Sequence, residues 1–154
     1  MTDSGLVTPD EWETWRSFRQ MRRDLDRVLE RELQASSEIS NADFGILISL
    51  FGTPSRQLRP SELCDILGWE KSRVSHQVSR MQTRGLIERR ECDTDARGTW
   101  VAITPAGSRA VLGAMRGHSA SLRRHFFDAL TAEEAAVITR LAERVRETTK
   151  EAAE

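Results

Sequence analysis

The stretch RPSELCDILGWEKSRVSHQVSRMQTRGLIERR, Arg59 to Arg90, holds two short helical signals joined at a glycine, and a sharp rise in positive charge. Pro60 at a first-turn position and Glu62 two residues on open the first helix, and Gly68 supplies the residue that ends it. From Lys71 the pattern restarts. At about 100° per residue Val74, Val78 and Met81 share one side, while Ser72, His76, Arg80 and Thr83 lie opposite, flanked by Arg73 and Ser79. A narrow apolar stripe backing a basic, hydrogen-bonding face, reached through a turn at Gly68-Trp69-Glu70, is the pattern of a helix-turn-helix. Its second helix is expected to enter a DNA major groove. Between Lys71 and Arg90 six Lys or Arg residues face one acid, Glu88, a local +5 in a chain of net charge −1, which leaves −6 for the remainder.

Downstream, Gly85 ends the helix and the period changes. Leu86 to Arg90 and Thr99 to Thr104 are strand-like runs around a charged tip, Glu91 to Gly98, and a hairpin directly after a recognition helix is a wing. Arg97 near that tip suits a minor groove, whose negative potential attracts guanidinium, and Asp95 is placed to hold it. The competing reading makes Arg97 a surface ion-pair partner of Asp93 or Asp95. Thr104-Pro105 then starts a helix running to about Leu130, and the capping box Thr131-Ala132-Glu133-Glu134 starts another.

Upstream, Thr8-Pro9-Asp10-Glu11 opens a long amphipathic helix with Trp12, Trp15, Phe18, Met21, Leu25, Val28, Leu29 and Leu33 on one face. Ser40-Asn41-Ala42-Asp43 announces a second helix through GILISLF to Gly52, which should be largely buried. The expected fold is mainly α with a small β-hairpin wing: a winged helix-turn-helix over residues 40–104, with helices at 8–38 and 105–152 forming a dimerisation region. These terminal helices carry more apolar stripe than one chain can cover, and a symmetric homodimer is the expected solution.

Composition excludes other classes. The content, 31% charged and 38% hydrophobic, is that of a soluble globular protein, and the longest apolar run, Gly45 to Phe51, falls far short of the ~20 residues of a membrane span. The start MTDSGLVTPDE has no signal-peptide character, and two cysteines form no disulfide framework, so the expected location is cytoplasmic. No G-x-S-x-G, P-loop or H-E-x-x-H signature suggests an enzyme, and no cofactor is expected. His76, His118 and His125 fall on different helices without further ligands at metal spacing, so no metal site is expected.

Over nearly its whole length, and most densely from Leu58 to Gly107, the chain resembles the MarR family of bacterial transcriptional regulators. Gly85, Leu86-Ile87, Arg89-Arg90, Asp95-Ala96-Arg97 and Ile103-Thr104-Pro105-Ala106-Gly107 fill the places of a family pattern, with Ile103 where leucine is usual. The resemblance implies a dimeric regulator, a repressor on the commonest pattern, bound to double-stranded pseudo-palindromic operator DNA and often released by a small ligand or oxidant. By position it implies that Ser72, Arg73, Ser75, His76, Gln77 and Arg80 face bases and phosphates, and that Arg97 enters the minor groove. Lys71 and Arg89 join this set, and Ser61 at a helix start suits a phosphate. The side-chain chemistry agrees: Arg reads guanine and Gln reads adenine, whereas Ser and Lys suit phosphate.

For an effector, Trp12, Trp15, Phe18 and Phe44 are candidates to line a ligand cleft, with Arg16 or Arg19 meeting an anionic group; the alternative is an aromatic stripe of core or dimer interface. Thiol sensing is disfavoured. The chain has no tyrosine, Cys64 reads as a small hydrophobe, and Cys92 between Glu91 and Asp93 should have a raised thiol pKa. The rival to DNA binding is a winged-helix docking module for proteins, which would have no reason to keep both the Lys71 to Arg84 face and Arg97 basic.

Overall fold

The helix starts lie where their capping residues lie. Thr8 Oγ1 accepts the Glu11 N–H at 3.3 Å while the Thr8 N–H donates to Glu11 at 2.8 Å, and the same reciprocal pair recurs at Ser40–Asp43 and Thr131–Glu134. Each box satisfies two donors that a helix end would leave orphaned. The computed structural model describes residues 5–92 and 95–152, and of Cys92, Asp95, Ala96, Arg97 and Glu151 the backbone alone. The elements are α1 (Pro9–Ser36), α2 (Asn41–Gly52), β1 (Gln57–Leu58), α3 (Pro60–Leu67), α4 (Lys71–Thr83), β2 (Ile87–Cys92), β3 (Asp95–Ile103), α5 (Pro105–His125), a 3-10 turn (Phe127–Ala129) and α6 (Ala132–Glu151). No described helix is long and apolar enough to cross a membrane.

The chain divides into two compact units, Asp26–His118 and Met1–Leu25 with Ser119–Glu154, so that the division falls inside α1 and α5. The first unit holds the core. Ile46, Leu47 and Leu50 of α2 are fully buried and meet Leu63 of α3, Val74, Val78 and Met81 of α4, Ile87 and Val101 of the sheet, and Val111 of α5. Helix α2 is apolar on nearly every side because it is the central rod of this unit, as expected of a helix hydrophobic all round.

The sheet has three antiparallel strands in the order β1-β3-β2, where the sequence indicates only a hairpin. Strand β1 is two residues long, Gln57 opposite Ala102 and Leu58 opposite Val101, and two residues leave no alternation to read. The hairpin also extends further than the apolar runs suggest. Pairing continues from Ile87 opposite Ile103 to Glu91 opposite Thr99, with a register shift between Glu91 and Cys92. Backbone ladders need no apolar side chains, and a shift of this kind bends and twists the strand. Past the wing, α5 ends at His125 and a 3-10 turn leads to Leu130, a break inside what reads as one long helix.

The second unit is described by its surfaces. Trp12, Trp15 and Phe18 of α1, and Val137, Ile138, Leu141 and Val145 of α6, are between 38% and 51% exposed, which leaves two apolar helix faces uncovered in the single chain.

Candidate nucleic-acid interface

The second helix of the pair, α4, is fixed from below by its apolar stripe and flanked on each side by a glycine. At the C-terminus of α3, Gly68 adopts φ 64°, and the Trp69 N–H reaches back to the Cys64 carbonyl at 3.1 Å. Only glycine enters this left-handed region without strain. At the end of α4 the same device recurs: Gly85 has φ 74°, and the Leu86 N–H donates to the Met81 carbonyl at 3.0 Å. Between them Val74, Val78 and Met81 lie in the core, so the opposite face of α4 must point outward.

That outer face presents Lys71, Ser72, Arg73, Ser75, His76 and Arg80, all exposed, with Ser61 exposed in the first turn of α3. Among the described residues Lys71, Arg73 and Arg80 enter no ion pair. The Arg73 guanidinium lies 4.1 Å above the ring of Trp69, which is itself half-buried against the core, as a packing role in the turn requires. Arg89 on β2 folds back over α4, donating to Gln82 and, at 3.0 Å, to Ser79 Oγ. Arg97 and Asp95 have backbone positions on β3, and their expected side-chain roles lie outside the described residues. At the base of the wing Arg59 lies 4.3 Å over the ring of Trp100.

Gln77, expected among the base and phosphate contacts, is partnered within the protein. Its amide Nε2 donates at 2.7 Å to Asp43 Oδ1, because position 77 falls at the edge of the buried stripe and α2 presents a carboxylate there. Arg84 donates to Asp43 Oδ2 at 2.7 Å and to the Glu38 carbonyl at 2.9 Å. Asp43 is 1% exposed. Burial acts to raise the pKa of its carboxyl, but the Arg84 hydrogen bond and charge, with the Ser40 N–H and hydroxyl, outweigh burial and hold it below the usual carboxylate value. In sequence Asp43 shows only its capping role; partners 34 and 41 residues away leave no local signal.

The effector candidates fall in both units, and each is described in its own. Phe44 is a core residue of the first unit, its ring 4.5 Å from that of His118. Trp15 and Phe18 stack on each other at 5.8 Å on the exposed face of α1, which also bears Trp12, while Arg16 is exposed on the same helix. Cys64 is half-buried against the core. Among the described residues no group of His, Cys, Asp and Glu side chains could hold a metal ion.

The model of the MarR family matches residues 37–98, which span α2, the helix-turn-helix and most of the wing. Sco3205 from Streptomyces coelicolor, a MarR family transcriptional regulator solved in complex with DNA, is 30% identical, with a TM-score of 0.89 over 94% of each chain. AbsC, a MarR family transcriptional regulator from the same organism, is also 30% identical at a TM-score of 0.89, covering 96% of this chain and 99% of that one. A mutant MarR from E. coli complexed with operator DNA is 25% identical, with a TM-score of 0.76 over 84% of this chain and 91% of that one. No curated protein matches the sequence. With the winged fold shared almost end to end with DNA-complexed and free members, the chain belongs to the MarR family of transcriptional regulators, which are DNA-binding regulators and not enzymes.

Proposed function

We propose that the protein is a homodimeric repressor that binds a pseudo-palindromic operator in double-stranded DNA, with α4 of each protomer in a major groove and the wing in the adjacent minor groove. The carrying observation is the two-sidedness of α4: Val74, Val78 and Met81 are buried, and Lys71, Ser72, Arg73, Ser75, His76 and Arg80 are exposed. Arg73 and Arg80 suit guanine or phosphate, Ser61, Lys71, Ser72 and Ser75 suit phosphate, and His76 can do either. Arg89 acts from the foot of the wing and Arg97 from its tip. Gln77 leaves the contact set.

Residues 40–104 are the DNA-binding region, and 8–38 with 105–152 the dimerisation region. The uncovered apolar faces of α1 and α6 support the dimer, since a second copy is the simplest cover for stripes of this length. Trp12, Trp15 and Phe18 belong with that interface or with an effector pocket completed by it, where Arg16 meets an acidic ligand that releases the DNA. The site of action is the bacterial cytoplasm.

Selection of bound duplexes from a random pool tests the reading. A palindromic product with half-sites about 34–36 Å apart, bound with an affinity that falls steeply with salt, is the expected result. Recovery of no enriched sequence, with salt-insensitive capture of a protein partner, favours the docking-module alternative.

A further inference from the structure

Asp43 carries more than a helix cap needs. Thr8–Glu11 and Thr131–Glu134 make the same reciprocal cap with exposed carboxylates, so capping does not require burial. Burying an ionised carboxylate is costly unless each oxygen is satisfied, and here the extra donors both come from α4 and its end. Gln77 Nε2 donates to Oδ1 and Arg84 Nη1 to Oδ2, each at 2.7 Å, while the Ser40 N–H donates to Oδ2 at 2.9 Å. Residues seven apart return to nearly the same side of a helix, about 10 Å along its axis. One carboxylate therefore gathers two successive turns of α4 onto the first turn of α2. The second arm of Arg84 ties the same point to the Glu38 carbonyl, in the segment between α1 and α2.

We propose that Asp43 is the positioning residue of the recognition helix, fixing the rotation of α4 about its own axis through Gln77 and Arg84 without touching DNA itself. The apolar stripe of Val74, Val78 and Met81 supplies adhesion but little direction, because dispersion contacts tolerate a small roll. Hydrogen bonds do not. With side-chain tips about 5–6 Å from the helix axis, a roll of about 20° moves them by roughly 2 Å, enough to break a bidentate base contact. Gln77 and Arg84, both polar and both on a helix that faces DNA, are thus turned inward to serve the exposed row of Ser72, Arg73, His76 and Arg80.

The inference rests on the reading of α4 as the groove-facing helix, and the experiment separates the two. The wild-type protein is titrated with the selected duplex and with a scrambled duplex of equal length, across a salt series. If the wild type shows no preference and no salt dependence, the groove-facing reading itself fails. Given that preference, Asp43→Asn should lower the ratio of specific to scrambled affinity about tenfold or more, the scale of losing a base-specific contact, while the salt slope stays unchanged because no phosphate-facing cation is altered. Combining Asp43→Asn with Gln77→Glu swaps donor and acceptor across the pair and keeps one carboxylate near Arg84; it should restore most of the ratio. Arg84→Lys, which keeps a cation for Asp43 and loses the second arm, should give a several-fold loss, and it keeps the test open if Asp43→Asn is unfolded at the assay temperature. Unchanged discrimination in folded Asp43→Asn or Arg84→Lys overturns the proposal. So does a double variant that recovers thermal stability but not discrimination, which would return Gln77 to the bases.

Discussion

Gly107, which closes the Ile103-Thr104-Pro105-Ala106-Gly107 run, offers a sharp test of how α5 is seated at the foot of the wing. A Cβ built on Gly107 would lie 2.1 Å from the Leu86 carbonyl oxygen, 2.9 Å from Ile103 Cγ1 and 3.1 Å from Leu47 Cδ2. The first of these is backbone and cannot rotate away. It already accepts the Thr104 N–H at 3.2 Å, while Thr104 Oγ1 accepts the Gly107 N–H at 3.0 Å and donates to the Gly85 carbonyl at 2.7 Å. Gly107→Ala must therefore push the start of α5 off the strand that follows the recognition helix. Overpacking costs about 1–3 kcal/mol and a displaced hydrogen bond about 1, against roughly 1 kcal/mol gained from replacing glycine within a helix. The net expectation is a loss of about 1–3 kcal/mol, or a fall in Tm of roughly 2–12 °C for a chain of this size. Gly113→Ala is the control, since nothing lies within 4 Å of a Cβ there; it should gain up to about 1 kcal/mol. Urea and thermal unfolding at one fixed protein concentration measure both, because association couples apparent stability to concentration. If Gly107→Ala is as stable as Gly113→Ala, the close approach does not govern this glycine and the reasoning fails.

Arg97→Ala should weaken operator binding with thermal unfolding nearly unchanged; a protein that unfolds instead makes Arg97 structural. Lys71→Ala and Arg80→Ala should each reduce the slope of log affinity against log salt by about 1, measured by fluorescence anisotropy, and an unchanged slope would remove that residue from the phosphate set. His118, with Nδ1 unpartnered and its ring against Phe44, has its pKa lowered by burial, so the unfolded chain binds the proton more readily than the folded one. The stability it confers is present above about pH 6.5 and is lost as pH falls through its lowered folded value. Replacing it by Phe should flatten the stability profile below about pH 6.5, and an unaltered profile would refute the assignment.

Much of the fold was legible because its signals are local. Thr8, Ser40 and Thr131 mark helix starts by caps that close within three residues, and Gly68 and Gly85 mark ends by a backbone state other residues avoid. The two faces of α4 followed from periodicity alone, and the order of helix, turn, helix and wing followed from those pieces. What remained hidden was non-local. Strand β1 exists only because Gln57 and Leu58 find Ala102 and Val101. The inward turn of Gln77 and Arg84 depends on Asp43 from another helix, and a helical wheel of α4 contains no information about it. For Phe44 the sequence leaves pocket and core open alike, and its ring contact with His118, 74 residues away, has no local signal.

The stacking of Arg73 on Trp69 has a consequence for the kinetics and entropy of recognition. Arginine on an open helix face samples many rotamers, and immobilising such a side chain on association costs about 0.5–1.5 kcal/mol. Over the indole at 4.1 Å, Arg73 has already surrendered much of that freedom when the protein folds. The aromatic floor leaves the guanidinium edge, where its donors lie, open to an incoming phosphate or guanine. A rigid, pre-aimed cation of this kind should favour encounter in the bound geometry, and the adjacent indole makes the event visible, because a ligand drawn to Arg73 alters the surroundings of Trp69.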